Sequence, residues 1–273
     1  MRSVNNARLQ ARKLLDDCGL DEITDLDMDL FVAGLVVAGH DAILIEEELS
    51  NCDGKIVFGN NKAVIKVNSK IQFQERKRFV AAHEIGHLLM HRNMQLPDDT
   101  FTNFNIIEGT ENTLKNGRQE LEANEFASEL LMPENLFLKE AKGKKFSPLL
   151  IKQLSERFKT SLTATIFRYL QFEQLHPLCL VFIEYGKVKY WKKSNDLKVW
   201  LGDYTKLAPP SDSVAAEYIQ KDYEFVYKLE EKAQNINKST WFNLSEYDED
   251  TDFYEYCIPT RRYKTILSII WEN

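Results

Sequence analysis

Arg78-Phe79-Val80-Ala81-Ala82-His83-Glu84-Ile85-Gly86-His87-Leu88-Leu89-Met90-His91 is the stretch on which the reading of this chain turns. At about 100° per residue, His83, Glu84, His87 and His91 fall within one arc of roughly a quarter-turn. The rest of the circumference is Phe79, Ala81, Ala82, Ile85, Gly86, Leu88, Leu89 and Met90. A helix that is apolar nearly all round is buried. Four ionisable side chains on one narrow stripe of it are costly unless they are paired or bind a metal. Two imidazoles at i and i+4 lie one turn apart on the same face, where both can reach one ion. Glu84 stands beside them, placed to take a proton from a water. A chance H-E-x-x-H arises in roughly one such sequence in a hundred. A core helix with hydrogen-bonded histidines would account for one His, but not for three of the chain's five within nine residues.

Zinc at a hydrolytic centre takes three protein ligands and keeps one position for water. The H-E-x-x-H-x-x-G-x-x-H arrangement is excluded, because Met90 and Asn93 stand at the positions it would need. A carboxylate further on is required, and the helix expected over 118–132 is rich in them. On that helix Glu120, Asn124, Ala127 and Leu131 share a face, flanked by Ala123, Phe126 and Leu130. Glu122, Glu125 and Glu129 gather on the opposite side, which reads as solvent. Glu120 is therefore the candidate ligand, with Glu122 as the alternative. Ala123 and Ala127 leave room for a close approach of the two helices, and Asn124 can hydrogen-bond a ligand from behind. His91 is two turns from His83, about 12 Å along the axis, too far to share the ion; a supporting or structural role is expected. Zn²⁺ held by His83, His87 and Glu120 would acidify a water and polarise a carbonyl, with Glu84 as the catalytic base. The strand expected over 63–67 would lie along the cleft as an edge that an extended peptide can join.

Working outward, 273 residues predict two or three compact units. With 44% apolar and 28% charged residues the chain reads as an ordinary folded protein. A formal charge of −7 argues against a dedicated nucleic-acid binder, which needs a basic face for phosphates. The charged amphipathic start does not resemble an export signal. The longest apolar run, Leu30 to Gly39, is far short of the roughly 20 residues that span a bilayer. Four scattered cysteines fit reduced thiols. A soluble cytoplasmic protein without membrane contact is expected.

Helices are predicted over 8–18, with Leu9, Ala11, Leu14 and Leu15 as the apolar side, and over 28–38, stopping at Gly39. Strands are predicted at 42–46, 55–58 and 63–67, the last two joined through Gly59-Asn60-Asn61-Lys62. An exposed loop is expected over 97–117. Two short helices lie within 148–172, with a break near Lys159. Beyond them come a hairpin turning at Tyr185-Gly186, a long helix over 211–234, and strands at 240–244, 253–258 and 264–271. His40 and His176 fall in predicted loops at the surface.

The motif helix, followed by Glu120-Leu121-Glu122-Ala123-Asn124-Glu125-Phe126-Ala127-Ser128-Glu129-Leu130-Leu131-Met132-Pro133, resembles the ImmA/IrrE family of bacterial and phage metallopeptidases. The likeness covers roughly residues 1–140. The family's E-x-x-A-N element has its ligand at the first Glu, here Glu120. The resemblance implies an α+β fold: a mainly helical, zincin-like peptidase domain with a small β-sheet over 1–145, a helix-turn-helix-like segment over 146–174, and a C-terminal α/β module, GAF- or PAS-like, over 175–273. It also implies a protein substrate, a helix-turn-helix transcriptional repressor whose cleavage switches on phage, stress or defence genes. In the segment 151–170 Lys159 replaces the usual turn glycine, and Arg168 is the one base or phosphate contact its second helix offers. DNA is accordingly not the expected partner. The alternative reading is a DNA-binding or repressor-binding regulator with a non-catalytic metal site.

Overall fold

The computed structural model describes residues 2–37, 39–59, 62–92, 117–202, 204–224 and 233–273. The chain divides into two compact units: Met1–Glu140 with Leu154–Thr165, and Ala141–Gln153 with Ile166–Asn273. The fold is mixed α+β, a helical zincin-like domain followed by a β-rich module.

The first unit opens with α1 (Arg2–Asp17), α2 (Met28–Val37), β1 (Ala42–Glu47), β2 (Gly54–Phe58) and β3 (Ala63–Asn68). Then come α3 (Gln74–Met90), α4 (Gly117–Leu131) and α5 (Glu134–Ala141). α1 begins earlier than expected and buries Ala7, Ala11, Leu14 and Leu15, the i, i+4, i+7, i+8 stripe of a helix. Leu9, two residues past Ala7 and so on the far side, is 59% exposed rather than part of that stripe. α2 is followed by Gly39 at φ 89, the left-handed turn expected there.

The three strands form a sheet in the order β1-β3-β2, with β1 parallel and β2 antiparallel to β3. The expectation that 63–67 forms an edge is therefore wrong: β3 is the central strand, paired on both sides, and β1 and β2 are the edges. Ala63, Ile65 and Val67 alternate inward along β3 and join Ile85, Phe126, Ala127 and Leu130 in one core. The β2–β3 connection closes through Gly59 N–H donating to Lys62 O at 2.8 Å. Asn60 and Asn61, residues 97–116 of the loop expected over 97–117, and the last residue of the helix predicted to Ala38 lie outside the described residues.

α3 and α4 pack face to face, and Gly86 makes that possible. A Cβ there would stand 3.2 Å from Ala123 Cα and 3.2 Å from Phe126 Cδ1. Gly86→Val is expected to lower stability by about 1–3 kcal/mol through overpacking, although valine is the better helix former. A denaturant midpoint measures it, and an unchanged midpoint would refute the close approach as the reason for glycine. The other side of α4, expected to face solvent, faces α1. Glu125 pairs with Arg8 at 2.7 Å, and wholly buried Glu129 accepts from Arg12 Nε at 2.8 Å and from Glu134 N–H at 3.1 Å. Two of the three glutamates on that stripe thus meet arginines of α1.

The helix-turn-helix-like segment forms α6 (Pro148–Phe158) and α7 (Leu162–Tyr169), with Lys159 at φ 51 in the turn position glycine usually fills. Arg78 on α3 donates from Nη1 to the carbonyls of Phe158 and Lys159, satisfying the end of α6. Arg168 is wholly buried, donates to Gln171 Oε1 at 2.7 Å and lies over the Phe172 ring. It is not available as a nucleic-acid contact, contrary to its expected place on the surface of the second helix.

The second unit holds a five-stranded antiparallel sheet. Its strands are β4 (Cys179–Glu184), β5 (Lys187–Lys193), β7 (Ala233–Asn237), β9 (Asp252–Thr260) and β10 (Thr265–Glu272), in the order β5-β4-β10-β9-β7. The β4–β5 hairpin turns at Tyr185 (φ 48) and Gly186 (φ 72), both left-handed as a two-residue hairpin requires. The long helix predicted over 211–234 is instead α8 (Val214–Gln220). Tyr223 N–H donates to Tyr218 O and Asp222 N–H to Ile219 O, a left-handed stop at Asp222 that ends the helix. Residues 225–232 are outside the described range. The strand predicted at 240–244 starts within the end of α9 (Lys238–Trp241) and is a strand only over β8 (Phe242–Asn243), which pairs with an unanticipated β6 (Trp200–Leu201). Among the described residues no helix is long and apolar enough to cross a membrane.

Candidate metal centre

Ten consecutive residues of α3, Phe79 to Leu88, are buried, so His83, Glu84 and His87 sit in the core and not on a surface stripe. α4 brings Glu120 to them. Its carboxylate oxygens lie 3.2 Å from His83 Nε2 and 3.3 Å from His87 Nε2, and the two Nε2 atoms are 2.8 Å apart. Among the described residues, His83, His87 and Glu120 form the group whose ligand atoms lie within 4.8 Å of one another. Glu122, the alternative, is directed elsewhere: it faces His91 Nε2 at 3.0 Å and accepts from Arg118 Nε at 2.9 Å.

The outer contacts of the imidazoles decide where their protons are. Asn124 Oδ1 lies 2.9 Å from His83 Nδ1; it only accepts, so Nδ1 carries the hydrogen and Nε2 the lone pair. The Glu122 carboxylate likewise takes the hydrogen of His91 Nε2, which leaves a lone pair on His91 Nδ1. His87 Nδ1, 2.9 Å from that atom, must then donate to it. His87 Nε2 is left with its lone pair as well. Two ring lone pairs and a carboxylate thus converge with no hydrogen of their own between them. Such a set repels itself unless a cation sits among the three, and imidazole with carboxylate is the donor chemistry of zinc and its neighbours in the transition series. The residues fit a divalent metal, and His91 and Asn124 orient the ligands from behind.

Burial lowers the pKa of His87 and of His91.

Glu84 is wholly buried on the same helix, one residue from His83. A Cβ on Gly54 would stand 2.7 Å from Glu84 Oε1 and would overlap Val80 Cγ1, so the start of β2 lies directly against this carboxylate. That placement is held from outside. Arg76 Nε donates to Asp53 Oδ2 at 2.7 Å, and Asn68 donates to the carbonyls of Leu49 and Cys52 while its own N–H binds Asp53 O. Gly54 and the Glu122–Arg118 pair were not anticipated. A lone glycine at a strand start carries no chemical signal, and the role of Glu122 depends on where His91 points. His40 and His176 are both partly buried and, among the described residues, belong to no such group.

A helix pair that presents its ligands in this way is the framework of zincin-like H-E-x-x-H proteins. Residues 39–169, just under half of the chain, match Peptidase_M78, the IrrE N-terminal-like domain. The family is one of metal-dependent peptidases, in keeping with the donor set of His83, His87 and Glu120. No curated protein matches the chain in sequence. Among solved structures the chain resembles a Mycobacterium tuberculosis transcriptional regulator, with a TM-score of 0.59 and 12% identity over 98% of this chain and 76% of the other. At that identity the likeness speaks for the fold alone.

Proposed function

We propose that this chain is a zinc-dependent endopeptidase whose substrate is a helix-turn-helix transcriptional repressor, cut in the cytoplasm to release a stress, phage or defence operon. The observation that carries the hydrolytic part is the convergence of three lone-pair donors beside a buried glutamate on the same helix. The family of residues 39–169 supports the same reading. The choice of repressor rests on the family resemblance.

His83, His87 and Glu120 would hold the zinc ion, which when bound supplies Lewis acidity toward water and the scissile carbonyl. Glu84 takes the proton of the attacking water as its oxygen adds to the carbonyl carbon. The same carboxyl then gives that proton to the leaving nitrogen as the C–N bond breaks. β2 is the edge strand that begins against Glu84, and an extended substrate segment would add to it by main-chain hydrogen bonds. Cys18, Cys52, Cys179 and Cys257 form no disulfide, which suits a reducing compartment.

The test is to incubate the zinc-loaded chain with a purified helix-turn-helix repressor encoded beside it and weigh the products by mass spectrometry. Two fragments whose masses sum to the repressor plus one water, absent under chelation, are expected. A repressor that binds the chain and stays intact would replace this reading with that of a non-catalytic regulator.

A further inference from the structure

We propose that the second unit binds a small phosphorylated ligand bearing a planar ring, of the nucleoside phosphate class, in a cavity beside the β6–β8 pair. This inference is independent of the metal centre. The cavity has a volume of about 480 Å³, within the range of about 300–1,000 Å³ typical of small-molecule sites. Its wall includes Lys193 at the end of β5, Lys198 in the turn that follows, Trp200 on β6, Lys238 on α9, and Asn243 on β8.

Three lysines line one space in a chain whose net charge is −7. Lys193 and Lys238 are partly buried, and Lys198 is exposed at the mouth. Lys193 Nζ donates to Leu197 O at 2.8 Å, and Lys198 Nζ donates to Asn195 O at 3.4 Å. Carbonyls position these ammoniums without neutralising them, and an ammonium has three N–H groups, so each keeps donors for an incoming anion. Lys238 has a side chain only 12% exposed and pairs with Asp248 at 3.3 Å. Three lysines against the one carboxylate on the wall leave an excess of positive charge there, which suits a phosphate. Pre-positioned donors also lower the ordering cost of binding.

The ring follows from Trp200. Its side chain is 73% exposed, whereas Trp241 and Trp271 are buried. An indole at the rim of a basic cavity is a stacking surface, as aromatic side chains are for bases. Trp200 pairs in register with Asn243 across β6–β8, and the Asn243 amide can both donate to and accept from a base edge. A bare phosphate would leave the indole and the amide unused. A long nucleic acid would need a basic path beyond the cavity, which the acidic balance of the chain disfavours.

Isothermal titration calorimetry of the full chain with adenosine and uridine 5′-monophosphates, inorganic phosphate and a single-stranded oligonucleotide tests the proposal. Tryptophan fluorescence is followed in parallel. At least one monophosphate is expected to bind saturably, at least tenfold tighter than phosphate, and to quench the exposed indole. Trp200→Leu should weaken that binding roughly tenfold, and Lys198→Ala should weaken it severalfold, with circular dichroism unchanged in both. No saturable binding of either monophosphate up to millimolar concentration would overturn the proposal, as would phosphate binding equally well or Trp200→Leu leaving affinity intact. An oligonucleotide that binds far more tightly than either monophosphate would overturn it in favour of a nucleic-acid surface.

Discussion

Glu84→Gln is expected to slow peptide-bond cleavage by roughly 10²–10⁴-fold, the usual contribution of a general base, while zinc stays near one per chain. Glutamine has the size and shape of glutamate, so Gly54 can still lie against it and α3 keeps its packing. The amide cannot take the proton of the attacking water or return it to the leaving nitrogen. Glu84 is not among the three converging ligands, so the metal set stays whole. Fragment formation and elemental analysis on the same preparation measure both halves. A Glu84→Gln protein that cleaves at the original rate would remove Glu84 from the mechanism, whatever its metal content.

The second large effect is on metal binding. Glu120→Ala removes the only carboxylate of the converging set, and zinc per chain should fall well below one after identical purification. Partners behind a ligand typically account for 10–100-fold in metal affinity, and a direct ligand should account for more. Zinc at 100 times its Kd adds about 2.7 kcal/mol to the stability of a folded site, so the melting temperature of the unaltered protein should rise with added zinc and that of Glu120→Ala should not. Glu122→Ala is the control. Glu122 holds His91 and not the two ligand imidazoles, so this variant should keep its zinc with only reduced affinity. A full complement in Glu120→Ala would move the third ligand elsewhere.

Much of the site was legible because helical periodicity is a local rule. Once Gln74 to Met90 is helical, His83, Glu84 and His87 must share a stripe, and the same arithmetic turns Glu120 and Asn124 toward one side of α4. The periodicity could not say what covers the other side. Glu125 and Glu129 read as solvent-facing until α1 places Arg8 and Arg12 against them. Leu9 and Arg168 mislead for the matching reason. A leucine can end up outside, and an arginine inside on a phenylalanine ring, when neighbours distant in the sequence settle the burial. The helix expected over 211–234 stops at Gln220 because hydrogen bonds closing at Asp222 and Tyr223 override the apolar pattern.

Strand order shows the same division. Ala63 to Asn68 is recognisable as a strand from its alternation, yet alternation is identical for central and edge strands, and only the pairing with β1 and β2 on either side makes it central. The sequence by itself determined the shared stripe of His83, Glu84 and His87, the common face of Glu120 and Asn124, the left-handed stop at Gly39 and the hairpin at Tyr185-Gly186, because each depends on spacing or backbone sterics within a few residues. Only the tertiary structure decided that Gly54 lies against Glu84, that His91 and Glu122 set the tautomer of His87, and that Lys193, Lys198, Lys238 and Trp200 share one cavity. Those contacts join segments far apart in the chain, and their geometry follows from how sheet and helices pack.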